Sequence, residues 1–333
     1  MDIIDGPKVV VIGGGTGQSI FLRGLKQLTE NITAVVAVTD DGGGSGKLRE
    51  DLGMLPPGDI RNCIIALADI EPEMKKVMQY RFPDGEYKGQ SFGNLFIAAL
   101  NGVYGSFEKA ISKISQILAV KGKVLPVSAD NLRLYAELEN GNIVKGEAQI
   151  PLECIRQRSG IKRVFLDVQE PKALDEVVDA ISCADIIVIG PGSLYTSIVP
   201  NILIPQLKNA ILQSNALKVY VCNIMTQPGE TDGFDVLKHV EAIFAHSCPG
   251  LFNYVIVNNG CIPSEYIEKY KNDNASLVGL DKRQTELLRE KNVRVITGDF
   301  VKVKKGYIRH DAYKLASLII DLFQGVNQGE KGI

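Results

Sequence analysis

At 333 residues, with 45% hydrophobic and 23% charged residues, the chain is long enough to bury a large core as one α/β domain or two lobes. A net charge of −2 excludes a general nucleic-acid binder, which needs Lys and Arg in excess on one face. Six cysteines without CxxC spacing argue against a zinc knuckle or a disulfide frame, and fit reduced thiols in the cytosol.

Met1–Gly6 holds two aspartates and no basic residue, unlike a signal peptide. No apolar run approaches the roughly 18 residues of a membrane helix. The expected location is the cytoplasm. The first strand expected is Val9–Ile12, followed by Gly13-Gly14-Gly15-Thr16-Gly17. A helix comes next, with Phe21, Leu25 and Leu28 on one face. A second strand, Ala34–Val38, runs into Thr39-Asp40-Asp41-Gly42-Gly43-Gly44-Ser45-Gly46-Lys47. Strand, glycine turn, helix, strand is a right-handed βαβ unit, and ligands of such sheets sit at the carboxyl ends of the strands. Bare N–H groups in glycine turns approach phosphate oxygens closely, and a helix start adds its positive end.

The first turn misses the dinucleotide fingerprint G-x-G-x-x-G, because Gln18 stands at the last position. Asp40 and Asp41 fall where an acid meets a ribose hydroxyl; either is also a candidate for a metal or for capping the next turn. Gly42–Lys47 resembles a Walker loop but is one residue short, with Leu48 in place of the magnesium-binding hydroxyl, so a P-loop ATPase is excluded. Lys47 and Arg49 are candidates for a diphosphate or for solvated surface charge.

Asp59 is expected to cap a helix bearing Ile60, Ile64 and Leu67, and Arg61 and Asn62 sit at its start. Further helices are expected from Pro72, after Gly89–Asn94, and after Ser106. Leu132–Glu139 and Asn142–Ile150 alternate polar and apolar around Asn140-Gly141, which predicts an antiparallel hairpin insertion over 123–168, finished by Arg163–Val168. Parallel strands resume at Asp185–Ile189, Lys218–Cys222, Tyr254–Val257 and Val293–Thr297, and a helix bearing Leu315, Leu318, Ile319 and Leu322 closes the chain. Residues Gln328–Ile333 are expected to fray. The expected fold is a Rossmann-like α/β domain over 1–333, its mostly parallel sheet flanked by helices. It divides into a nucleotide-binding half (1–122), the insertion, and a C-terminal half (169–333).

Gly190-Pro191-Gly192-Ser193 is a third glycine loop, but G-x-S-x-G is absent, so no hydrolase triad is expected. Tyr195, Thr196 and Ser197 are read as pocket hydroxyls or a first helical turn. His239 and His246 are read as structural. Asn223–Asp232 gathers small polar groups suited to sugar or phosphate, or to a plain surface loop.

GGGTG, TDDGGGSGKLR, PPGDIRN, SFGNLFIAAL, IGPGSLYTSIVPN and CNIMTQPGETDGF, in that order, resemble the bacterial gluconeogenesis factor (YvcK) family, related to 2-phospho-L-lactate transferase (CofD-like). The resemblance spans about Lys8 to Lys314. It implies a Rossmann-like core and binding of UDP-sugars such as UDP-N-acetylglucosamine. It also implies a role in growth on gluconeogenic carbon, cell shape and wall-precursor supply. Carried onto this sequence, the diphosphate floor is Gly13, Gly14, Gly15, Thr16, Gly17, Asp40, Asp41, Gly42 and Gly43. Asn94, Ser193 and Asn223 complete the pocket, and Thr226, Tyr270 and Arg309 meet the sugar nucleotide. Mg²⁺ on Asp40 or Asp41, a protein partner in the amino-sugar pathway and a homodimer are further expectations. The chain departs from the family's usual second loop at Thr39, Gly44 and Lys47, and Gln90 stands where histidine is expected.

Two functions compete. One is a nucleotide-sugar-sensing regulator without necessary catalysis; the other is a transferase moving a phospho-lactate-type group from a nucleoside-diphosphate donor. An NAD-dependent oxidoreductase would rest on the imperfect fingerprint alone.

Overall fold

A computed structural model describes residues 6–304 and 306–329, so Met1–Asp5 and the last residues expected to fray, 330–333, lie outside it. The described strands are β1 (Val9–Gly13), β2 (Ile32–Val36), β3 (Lys123–Pro126), β4 (Leu134–Leu138), β5 (Ile143–Lys145), β6 (Ile161–Leu166), β7 (Ile186–Ile189), β8 (Leu217–Val221), β9 (Tyr254–Asn258), β10 (Arg294–Gly298), β11 (Val301–Lys304) and β12 (Tyr307–His310). Seven form one sheet in the order β10-β9-β8-β7-β1-β2-β3. Every pairing in it is parallel. Strands from both halves of the chain therefore share a single sheet, with helices on its faces.

The runs Val9–Ile12 and Ile186–Ile189 are buried throughout, as β-branched strands covered on both faces must be. Helix α1 (Gly15–Leu25) buries Phe21, Leu22 and Leu25 against the sheet and packs on α3 (Gly58–Leu67) and on the closing helix Ala312–Gly329. In the chain α2 (Gly43–Leu52) comes between α1 and α3. The chain steps outward from β1 to β3, returns to the centre at β7, and steps outward the other way to β10. The reversal between β1 and β7 opens a crevice beyond their carboxyl ends.

The insertion is a three-stranded antiparallel sheet, β5-β4-β6. Two expectations for 123–168 fail. Its first strand, Lys123–Pro126, is β3 of the parallel sheet and not part of the insertion. The second hairpin strand does not reach Ile150 but stops at Lys145, and a helix follows at Gln149–Gln157. The cause is Asp41. Its carboxylate accepts the N–H groups of Ala148 (2.9 Å) and Glu147 (3.2 Å), pinning the start of that helix. Gly146 makes the turn with φ +100°, where a Cβ would stand 2.7 Å from Asp41 Oδ2. The strand expected at Ala34–Val38 likewise ends at Val36, although Ala37 N–H still bonds Gly13 O at 2.9 Å.

β11 and β12 form a separate two-stranded hairpin. Its Ile308 belongs to a small apolar cluster with Ile224, Met225 and Ile262, distinct from the main core and flanked by Tyr266, Ile267 and Tyr270. Among the described residues no helix is long and apolar enough to cross a membrane.

Candidate functional site

The carboxyl ends of β1, β2, β7 and β8 release four loops into the crevice, and these enclose a cleft of about 440 Å³. Its floor is the first turn of α1: Gly14, Gly15, Thr16 and Gly17. Gly17 cannot be larger, because a Cβ there would lie 2.7 Å from the Pro191 carbonyl oxygen of the neighbouring loop. Ser193 and Asn223 line the cleft from the ends of β7 and β8, tied through Gln227, which donates to Ser193 Oγ at 2.8 Å. Thr226 lines it while its Oγ1 accepts Ser276 N–H at 2.8 Å. The far wall is the small cluster, with Tyr270, Ile308 and Arg309; Tyr270 Oη accepts Ile308 N–H at 3.1 Å and Arg309 lies 5.2 Å from the Tyr307 ring centroid.

Carboxyl groups dominate the electrostatics. Asp40, Asp59 and Glu147 line the cleft, and Glu230 is buried beside it, accepting from Thr196 Oγ1 (3.1 Å) and Tyr195 N–H (3.3 Å). Loss of water pushes Glu147 up to about 8, with repulsion from Asp40, Glu230, Asp59 and Asp41 adding to it. Burial lifts Glu230 to about 7 against its hydrogen bonds. Desolvation, then Asp40, lifts Asp59 to about 6. Asp40 also rises through desolvation, opposed by bonds from Gly42 and Ser45. Burial lowers His310 to about 4, so its imidazole is neutral. Among the described residues Arg309 is the cation of the lining.

Of the residues expected from sequence, Gly14, Gly15, Thr16, Gly17, Asp40, Ser193, Asn223, Thr226, Tyr270 and Arg309 come together here. Gly13, Asp41, Gly42, Gly43 and Asn94 are absent from the lining. Gly13 is still strand, its carbonyl taken by Asn201 Nδ2 at 3.0 Å. Asp41 is spent on the insertion, Gly42 and Gly43 begin α2, and Asn94 is buried in the first turn of helix Phe92–Tyr104, its N–H on Ser91 Oγ at 3.2 Å. Arg49 is neither a diphosphate ligand nor surface charge: its buried guanidinium bonds Asn131 Oδ1 at 2.7 Å and the Leu132 carbonyl. Lys47 is exposed.

Sequence reasoning missed Glu147 and misread Asp59, whereas Gln227 falls within the polar loop Asn223–Asp232 it singled out. Asp59 is the second residue of α3, not its cap, and its Oδ2 accepts Gly15 N–H at 2.6 Å, occupying one donor of the α1 start. Its place in PPGDIRN, after the two glycine loops, was the available signal. Glu147 had none, since its position depends on the helix that Asp41 starts. His239 and His246 bond carbonyls of their own helix, each at 2.7 Å, as structural histidines do.

The family model for 2-phospho-L-lactate transferase CofD matches residues 9–301. A putative gluconeogenesis factor of Thermoanaerobacterium thermosulfurigenes is 56% identical over 96% of this chain and 98% of its own. The gluconeogenesis factor of Bacillus subtilis is 45% identical over 96% and 98%. A crystal structure from Bacillus halodurans, 44% identical, superposes with a TM-score of 0.90 over 95% of this chain and 100% of that one. On this identity and coverage, the chain belongs to the CofD family, alongside its gluconeogenesis-factor members.

Proposed function

We propose that the protein is a cytoplasmic regulator that binds a nucleoside-diphosphate sugar of the UDP-N-acetylglucosamine type and adjusts carbon flow toward cell-wall precursors. The observation that carries this reading is the cleft at the strand-order reversal, with the α1 start as floor and Arg309 facing it from the β11–β12 hairpin. The diphosphate sits on the first turn of α1 and is met by Arg309 from the opposite wall. Thr39 Oγ1, buried in the lining without a partner, is left for a polar group of the ligand. Among the described residues Tyr270 is the sole Phe or Tyr of the lining, which offers little to a flat aromatic acceptor and favours binding over transfer.

Mg²⁺ enters this reading as a companion of the diphosphate. No group of three or more His, Cys, Asp or Glu among the described residues is arranged to hold a metal by itself. Mg²⁺ usually binds through one or two carboxylates plus substrate phosphates, and Asp40 is the carboxylate for that role. Calorimetry with UDP-N-acetylglucosamine, with and without Mg²⁺, tests the reading. Binding is expected, and Arg309→Ala should weaken it about 10-fold or more. No heat and no thermal shift at millimolar ligand would refute it.

A second reading, the phospho-lactate-type transferase, is favoured by two cleft-side carboxyls, Glu147 and Glu230, held near neutral pH, where a general base works best. Turnover of a guanosine-diphospho-lactate donor with an alcohol acceptor would establish it.

A further inference from the structure

The two walls of the cleft differ in chemistry. The hairpin wall is apolar apart from Arg309: Ile224, Met225 and Ile308 belong to the small cluster, and Tyr270 packs against it. The opposite wall comes from the loop after β2 and from the insertion, and presents Thr39, Asp40 and Glu147. Asp41 fastens the two pieces together by accepting the Glu147 N–H at 3.2 Å.

Within the described residues, no hydrogen bond or ion pair meets the Glu147 carboxyl. The charges that bear on it are themselves carboxyls: Asp40, Glu230, Asp59 and Asp41. A desolvated group so placed costs stability unless something outside the chain meets it. Thr39 is a second, independent sign. It is 2% exposed, its Oγ1 has no partner, and it lines the same cleft. Burial and repulsion hold Glu147 near 8, so at neutral pH its carboxyl is protonated and can donate as well as accept. A hydroxyl does the same. The wall therefore suits an uncharged group rich in hydroxyls. An anion would be repelled by Asp40, and a flat base would find no ring to lie on. A base gains most from the apolar wall with Tyr270.

We propose that the wall shared by Thr39 and Glu147 is the sugar subsite of the cleft, in which the Glu147 carboxyl and Thr39 Oγ1 hydrogen-bond the hydroxyls of the sugar while the base lies across from them against Tyr270 and Ile308. The inference rests on the reading of the cleft as a nucleoside-diphosphate-sugar site. A dinucleotide site sets a ribose at the acid that ends its second strand. Here the acid in that place, Asp40, stands beside the sugar and the phosphates instead, because the apolar surface is on the other side. Glu147 is then the residue by which the protein tells a nucleotide sugar from the bare nucleotide.

Isothermal titration of the full chain with UDP and with UDP-N-acetylglucosamine is the test. The nucleotide sugar is expected to bind at least about 10-fold more tightly than UDP, the worth of one or two hydrogen bonds to buried groups. That preference should shrink to about 3-fold or less in Glu147→Leu, and should fall about 3-fold in Thr39→Val. Neither change removes a bond of the fold. Glu147→Gln, whose amide also donates and accepts, should keep the preference. Tyr270→Leu and Arg309→Ala should weaken both ligands alike and leave the preference intact. Equal affinity of the parent for UDP and the nucleotide sugar would overturn the subsite while the cleft remains a nucleoside-diphosphate site. A preference unchanged in both Glu147→Leu and Thr39→Val would overturn it as well. Binding of neither ligand would sink the subsite together with the reading beneath it.

Discussion

Gln18, which breaks the dinucleotide fingerprint, is buried beneath the cleft floor. Its Nε2 donates to Val11 O at 2.9 Å and Val35 O at 3.0 Å, so one amide ties β1 to β2. Gln18→Leu removes the donor and keeps the bulk. It should cost about 1–3 kcal/mol in urea unfolding, the usual penalty for stranding buried acceptors. A loss under about 0.5 kcal/mol would mean the two carbonyls do not need it.

Glu147 makes a prediction in pH. Its folded value of about 8 lies above the ordinary 4.5, so the folded state holds the proton more tightly than the unfolded one. The stability contributed by that proton is fully present below 4.5 and is lost as pH rises through about 8. Glu147→Gln, which never ionises, should therefore gain on the parent across that window and level off above it. Thermal midpoints of both proteins from pH 5 to 9 check this; a constant offset would show that the carboxyl titrates normally.

Among elements, the junction between β5 and helix Gln149–Gln157 is the least tolerant. Gly146→Ala places a side chain at positive φ and against Asp41 Oδ2, so a loss of about 1–3 kcal/mol is expected in denaturant melts. Asp41→Ala should fall in the same range, because it uncovers the same two N–H groups. A neutral result for both would mean the helix starts without help. The same junction shows what a sequence can reveal. Unbroken β-branched runs announced β1 and β7, the stripe at Phe21 and Leu25 announced α1, and Asn140-Gly141 announced the hairpin, since each signal is local. The end of β5 was hidden because its cause, Asp41, stands 107 residues from Ala148. The site divides along the same line. Glycine turns at strand ends were legible because backbone geometry fixes their use. Asp59 and Glu147 reach the cleft through the packing of α3 and of the insertion, which no spacing encodes.

For the whole molecule, the two apolar clusters set a stability gradient. The main core runs through the seven-stranded sheet, while helix Ser264–Asn272 and the β11–β12 hairpin rest on the small cluster around Ile308. Units with few buried contacts open first. Amide exchange should be faster at 264–272 and 301–310 than in β1 or β7, and should slow there when UDP-N-acetylglucosamine binds, because Tyr270 and Arg309 lie in those segments. Uniform protection with and without ligand would contradict this.

The clasp between Asp41 and the insertion also governs how the protein can be cut. Excising the segment from β4 through β6 as a dispensable ornament would take Glu147 out of the cleft wall. It would leave the Asp41 carboxylate loose beside the very loop that carries Asp40. A minimal site-bearing lobe of this protein therefore has to keep its three-stranded annex, which is part of the foundation and not an extension.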